Sequence, residues 1–146
     1  MLRGSILGYD LNEKSCQISY YDETKEEPET METAVDNYQI PVVLGFYKEH
    51  WVFGREAKRL QTIQEGITIT DLFQKAARRE KVKVGEKLHD GVWLLSKFIE
   101  LTLREFRDIS YITFSIPRTN IDMSDMLKGI GQRLGVPKEC VCVQDY

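Results

Sequence analysis

Three segments, in their order, constrain this chain most. Ser5-Ile6-Leu7-Gly8-Tyr9-Asp10 is an apolar run that delivers a carboxylate into a turn. Ile40-Pro41-Val42-Val43-Leu44-Gly45-Phe46 is a second extended run, and Trp51-Val52-Phe53-Gly54-Arg55-Glu56-Ala57-Lys58-Arg59 passes from strand residues through a glycine into a helix start. Between the first two, Cys16, Ile18 and Tyr20 alternate with Gln17, Ser19 and Tyr21, which predicts a strand returning along the first. The chain therefore opens on a hairpin whose polar tip is Asn12-Glu13-Lys14-Ser15.

The remaining elements follow from periodicity. Asp22 to Asn37 is crowded with acids and holds Pro28, and reads as an exposed connection or an irregular sheet edge. Lys48-Glu49 separates Tyr38–Phe46 from His50–Phe53, so a second hairpin is expected there. A helix is predicted over Arg55–Gln64 with Gly66 as its carboxyl-terminal cap, followed by Ile67-Thr68-Ile69 and a short basic helix from a Thr70 cap through Arg79. Leu88, Val92, Leu95, Ile99, Leu103 and Phe106 recur at three or four, predicting one helix from Glu86 to Arg107 with a single buried stripe. Tyr111–Ile116 reads as a buried strand ended by Pro117. Thr119 or Asn120 then caps a helix lined by Met123, Leu127, Ile130 and Leu134, which Gly135 and Pro137 end before a last strand, Cys140 to Val143. Hairpins followed by β-α-β crossovers imply an α/β fold: a mixed five-stranded sheet with flanking helices, the ribonuclease H-like layout.

Composition narrows the class. A chain of 146 residues has room for one domain, burying roughly two-thirds of its unfolded surface. The net charge of -3 offers no electrostatic reason for a nucleic acid or an anionic membrane as partner. No run approaches the ~20 apolar residues of a membrane span, and the amino terminus lacks a signal-peptide core. Three cysteines form no disulfide framework, so a cytoplasmic location is expected. Cys140-x-Cys142 has one intervening residue where zinc sites use two or more, and reads as structural.

Laid along the chain, the motifs resemble the opening of an actin-like ATPase of the heat-shock 70-type chaperone branch. Gly8-Tyr9-Asp10-Leu11 resembles the first phosphate motif, Ile40-Pro41-Val42-Val43 the start of the next hairpin, and Phe53-Gly54-Arg55-Glu56-Ala57-Lys58-Arg59 the family's Val-Gly-x-x-Ala-Lys. Ile112–Pro117 resembles its Ile-Thr-Val-Pro strand, and Arg133-Leu134-Gly135-Val136 the end of a helix that closes on Ala-Gly-Leu. Lys75 falls one residue before the family's catalytic lysine, and Asp145 sits where Asn-Glu-Pro carries the catalytic acid. The resemblance implies the amino-terminal half of lobe one, a fragment of a longer protein that binds ATP and magnesium between two lobes. The second phosphate motif, the adenosine pocket and the second lobe would then follow Tyr146, and the chain alone is expected not to hydrolyse ATP.

Under that resemblance the catalytic candidates are Asp10, Lys75 and Asp145, with Asp10 also facing magnesium through water. Asn12, Lys14 and Ser15 are the cofactor-binding candidates at the hairpin tip. Each has a structural alternative: Asp10 as a turn-initiating carboxylate, Lys75 as part of a solvated helix face, and Asp145 as a terminal residue. The tip departs from the family pattern, since backbone N–H groups that wrap phosphate need glycine or small hydroxyl residues, and Glu13 sets a like charge there. A second class is equally concrete: a non-catalytic interaction module on the same fold, whose partners are other protein chains, the missing carboxyl-terminal lobe, or a second copy of itself. A ribonuclease H-type nuclease needs several carboxylates converging on two metals, and only Asp10 is suitably placed.

Overall fold

A computed structural model describes residues 6–22, 26–32, 37–117 and 121–145. In chain order its elements are β1 (Ile6–Leu11), β2 (Ser15–Asp22), β3 (Glu27–Thr30), β4 (Ile40–Pro41), β5 (Leu44–Tyr47), β6 (His50–Phe53), α1 (Arg55–Ile63), β7 (Ile67–Ile69) and α2 (Leu72–Arg78). They continue with β8 (Lys81–Val84), β9 (Lys87–Asp90), α3 (Gly91–Leu103), β10 (Tyr111–Ile116), α4 (Ile121–Arg133) and β11 (Val141–Asp145), the last preceded by one 3₁₀ turn, Lys138–Cys140. The chain is a mixed α/β protein with a mixed sheet and flanking helices, as the element order predicts. It divides into two compact units: Met1–Asn12 with Cys16–Gln39 and Arg104–Tyr146, and Glu13–Ser15 with Ile40–Leu103.

The first unit is built on the strand path β11-β10-β1-β2-β3. β1, β10 and β11 run parallel, while β2 is antiparallel to both β1 and β3. Period-two alternation decides which face is apolar. Leu7, Tyr9 and Leu11 on β1 share a face with Ile112, Phe114 and Ile116 on β10, all at 2% exposure or less. Tyr9 and Phe114 lie directly opposite, their ring centroids 5.4 Å apart. A one-residue slip would turn these side chains to the polar face, at roughly 2 kcal/mol for each one exposed. Register is accordingly tightly held. α4 packs on β11 with Met123, Leu127 and Ile130 buried, and its approach is close enough at Gly131 that an added Cβ would lie 2.7 Å from a Val141 methyl. Within the acidic stretch Glu27–Thr30 form the edge strand β3, with Pro28 opposite Tyr21, a position tolerated on the outermost strand of the path. The predicted Thr119 or Asn120 cap lies outside the described residues.

The second unit holds a three-stranded sheet, β6-β5-β7, and a separate β8–β9 hairpin. α1 covers the sheet through Ala57 and Leu60, and Gly45 at its centre would bring a Cβ within 3.0 Å of Leu60 Cδ1. Four sequence expectations are corrected here. The cap of α1 is Gln64, in the left-handed conformation, and not Gly66, which instead passes under the Phe46 carbonyl where an added Cβ would be 2.6 Å away. Asp71, not Thr70, occupies the N-cap of α2, and Arg79 its C-cap. The long helix is shorter than its apolar spacing implied: residues 87–90 are strand β9, and the helix starts at Gly91 because Asp90 Oδ1 accepts the Val92 and Trp93 N–H groups at 2.7 and 3.2 Å. Lys81-Val82-Lys83-Val84, alternating and followed by Gly85, carried the strand signal that the helical spacing of Leu88 obscured. Finally, α3 is buried on more than one stripe, with Leu94, Leu95, Phe98, Ile99, Leu101 and Leu103 all inside.

In this unit His89 stacks on Trp93, centroids 4.0 Å apart, and Trp51 meets both rings edge-on or tilted. Burial, aided by the charge of Lys87, holds the His89 imidazole below its ordinary pKa. It is a neutral packing ring near pH 7.

The β5–β6 turn is made as expected by Lys48 and Glu49, at φ +50° and +65°. Positive φ at both central positions is the type I′ pattern, which favours Asn-Gly over residues with a Cβ. Glu49→Gly therefore raises the unfolding free energy by roughly 0.5–1 kcal/mol, measured by urea denaturation, and leaves the Lys48 ammonium over the Tyr47 ring undisturbed. Destabilisation of similar size would mean that the turn is held by Glu49 side-chain contacts instead.

Candidate functional site

The second phase of the same alternation gives the first unit a polar face. Gly8 and Asp10 on β1 lie opposite Ser19 and Gln17 on β2, and opposite Thr113 and Ser115 on β10. Thr113 and Ser115 in turn lie opposite Cys142 and Gln144 on β11. One row, Gln17, Asp10, Ser115 and Gln144, thus crosses four strands next to the carboxyl ends of the three parallel ones. Neighbouring members are about 4.8 Å apart across the sheet. Gln144 Nε2 donates to Ser115 Oγ at 3.0 Å, which fixes the amide oxygen of Gln144 as the end left to accept. Ser115 is 8% exposed and Asp10 is open to solvent. In open α/β sheets ligands gather outside the carboxyl ends of parallel strands, where loops diverge and backbone groups are free. This row is the candidate site.

Its chemistry is that of a polar cradle with one carboxylate. Asp10 supplies the negative charge, Ser115 a hydroxyl that both donates and accepts, and the two glutamines supply amides. No group of three or more His, Cys, Asp or Glu side chains able to hold a metal ion occurs among the described residues. A single carboxylate still matches magnesium, which keeps most of its waters and is commonly held by one or two carboxylates together with substrate phosphates.

The sequence candidates are distributed unevenly around this row. Asp10 is a member of it. Asp145 is not, because the register sets it opposite Ile116, on the face of Leu11 and away from Asp10. Asn12 is half-buried just past the end of β1, and Ser15 opens β2. Lys14 is exposed at the tip, and its carbonyl accepts the Val42 N–H at 2.9 Å. Lys75 belongs to the second unit, where its ammonium donates to the Thr70 carbonyl at 2.7 Å and so ties down the turn that starts α2. Ser115, Gln144 and Gln17 escape a motif search because no motif gives any of the three a role at a site. Their signal is the alternation alone: a polar residue at every second position of Tyr111–Ile116 and of Ser15–Tyr21, and Gln144 in phase after Val141 and Val143.

Comparison with known proteins adds a family. Residues 27–146 match the family of unknown function DUF5716, C-terminal. The chain belongs to that family. The DUF5716 match covers the strands carrying Ser115 and Gln144 and the helix carrying Lys75, and starts after Asp10 and the first hairpin tip. No curated protein matches the chain. The description of the DUF5716 family names no activity, so chemistry has to be read from the site.

Beneath the row, on the apolar face, Cys16 Sγ lies 3.6 Å from Tyr9 Oη. Burial pushes the Cys16 thiol up to about 12, with the Tyr9 hydroxyl opposing only part of the shift. The native state therefore keeps Cys16 protonated at pH values where the unfolded chain, titrating near 9, has lost the proton. Stability carried by this group is intact below pH 9 and falls as pH rises from 9 towards 12, by at most about 1.4 kcal/mol per pH unit. Alkylation followed by mass mapping at pH 8 should label exposed Cys142 fastest and spare Cys16 until the protein is unfolded. Labelling of Cys16 at the rate of Cys142 in the folded protein would contradict its placement.

Proposed function

We infer that this chain is part of an actin-like, heat-shock 70-type fold in which the polar row presents Asp10 to a magnesium-bound nucleotide. The observation that carries the reading is the strand order of the first unit. Counting its own strands from the amino terminus, the sheet runs 3-2-1-4-5 with only the second strand antiparallel, and Asp10, next to last in the first strand, lies in one row with Ser115 and Gln144. Such an arrangement is consistent with the ribonuclease H-like layout that the sequence motifs resemble. Magnesium would be held by Asp10 through water, with the hydroxyl of Ser115 and the side chain of Asn12 available to the phosphates. When bound, the metal would supply charge neutralisation at the phosphates.

The same residues argue for binding without turnover in this chain. Lys75 already spends its ammonium on the Thr70 carbonyl, and Asp145 lies on the other face of the sheet from Asp10. The tip has no glycine, and Asn12, Glu13 and Lys14 stand where close backbone approach to phosphate calls for glycine or a small hydroxyl residue. These features favour, as a second reading, a non-catalytic module that keeps the fold and uses its surface for other proteins.

Titration of the chain with magnesium-ATP, followed by amide chemical shifts, separates the two readings. Nucleotide binding predicts magnesium-dependent shifts at Asp10, Ser115 and Gln144 that Asp10→Asn weakens about tenfold or more, a loss of about 1.4 kcal/mol. Unchanged spectra at millimolar nucleotide would leave the interaction module as the account.

A further inference from the structure

The β8–β9 hairpin of the second unit has two unlike faces. Its register sets Val82 opposite His89 and Val84 opposite Lys87 on one side, and Lys81 opposite Asp90 and Lys83 opposite Leu88 on the other. The first face turns inward: Val84 is 3% exposed, Val82 is half-buried, and His89 stacks on Trp93. Alternation therefore turns Lys81, Lys83 and Leu88 outward. Leu88 is 60% exposed, more than any other large apolar side chain among the described residues. Cations flank it in the chain. Arg78 and Arg79 close α2, Lys81 and Lys83 lie on β8, and Lys87 precedes Leu88; all five are exposed, and none makes a side-chain ion pair or hydrogen bond among the described residues. Two exposed carboxylates, Glu80 and Glu86, interrupt the run. Asp90, on the outward face, is half-buried and gives Oδ1 to the Val92 and Trp93 N–H groups. The surface is thus locally positive in a chain of net charge -3, a local field that the whole-chain charge averages away.

We propose that the outward face of the β8–β9 hairpin is a peripheral contact for an anionic phospholipid surface. Charge complementarity selects an anionic occupant, and Leu88 selects among anionic occupants. A leucine set between ammonium groups gains by entering the boundary of headgroups and acyl chains, where the lysine stems lie along apolar surface and their charges stay with the phosphates. A nucleic acid strand would meet the same cations and gain nothing from a leucine. Its sequence-independent affinity also draws on aromatic platforms, and the rings of this unit are packed on one another: Trp51 against Phe46, His89 and Trp93, and Trp93 against His89. Attraction between exposed lysines and a charged surface is screened within a Debye length, so the contact is sensitive to salt. It rests on no part of the nucleotide reading.

Flotation of the whole chain with lipid vesicles, without nucleotide or magnesium, tests the proposal. At low ionic strength, vesicles of phosphatidylserine and phosphatidylcholine in equal parts should bind at least about tenfold more tightly than phosphatidylcholine alone, and should release the protein as salt is raised. Lys81→Glu with Lys83→Glu should weaken that binding at least about tenfold. Lys81→Gln with Lys83→Gln gives a smaller loss in the same direction and serves if the reversal unfolds. Leu88→Gln, at an exposed position, should leave the unfolding midpoint unchanged and weaken anionic-vesicle binding about fivefold or more at fixed salt. Equal binding to the two kinds of vesicle overturns the proposal. So does anionic-vesicle binding that Leu88→Gln does not alter, and so does a single-stranded oligonucleotide bound more tightly than the anionic vesicles.

Discussion

The parallel pairing of β1 with β10 is the constraint on which the first unit depends. Tyr9 and Phe114 meet across it, fully buried, and with Leu7, Leu11, Ile112 and Ile116 they define the apolar face. Because side chains alternate with a period of two, fixing that face also fixes the other, and Asp10 comes to lie beside Ser115 without any interaction of its own demanding it. The position of the candidate site is thus a by-product of hydrophobic registration. Chain entropy opposes bringing Tyr9 to Phe114 across more than a hundred residues, and the burial of six large apolar side chains offsets it.

The same register separates two residues that a motif comparison would place together. Asp10 and Asp145 both lie at the carboxyl ends of parallel strands, one residue out of phase, and alternation turns one to the polar face and the other to the face of Leu11 and Ile116. Lys75 is engaged by its own helix turn. What remains at the row is one carboxylate, a hydroxyl and two amides. The DUF5716 match is consistent with this division only in extent: it spans Ser115, Gln144 and Lys75 and starts after Asp10.

Much of the fold was legible because its strands alternate cleanly and its turns carry strong local signals. The first hairpin, the Lys48-Glu49 turn, Pro117 after β10, and Gly135 with Pro137 after α4 were all readable from residue type. The errors came where two periods fit the same letters. Leu88 sits at helical spacing from Val92 and Leu95, yet Lys81–Val84 pairs with Lys87–Asp90, and the Asp90 side chain, an N-cap, marks the true helix start. Gly66 has the residue type and spacing of a helix cap, whereas its role is set by the Phe46 carbonyl, a tertiary contact with no local signature. Ser115 and Gln144 were missed for the same reason: their neighbourhood exists only after three strands have paired.

Paramagnetic broadening by manganese-ATP, manganese standing in for magnesium, tests the central claim most directly. Since broadening falls steeply with distance, it reports where the metal sits without assuming any motif. The account predicts selective loss of the amide signals of Asp10, Ser115 and Gln144, removed by excess magnesium-ATP. Broadening centred on Glu27 and Glu32, or none above that of free manganese, would contradict it.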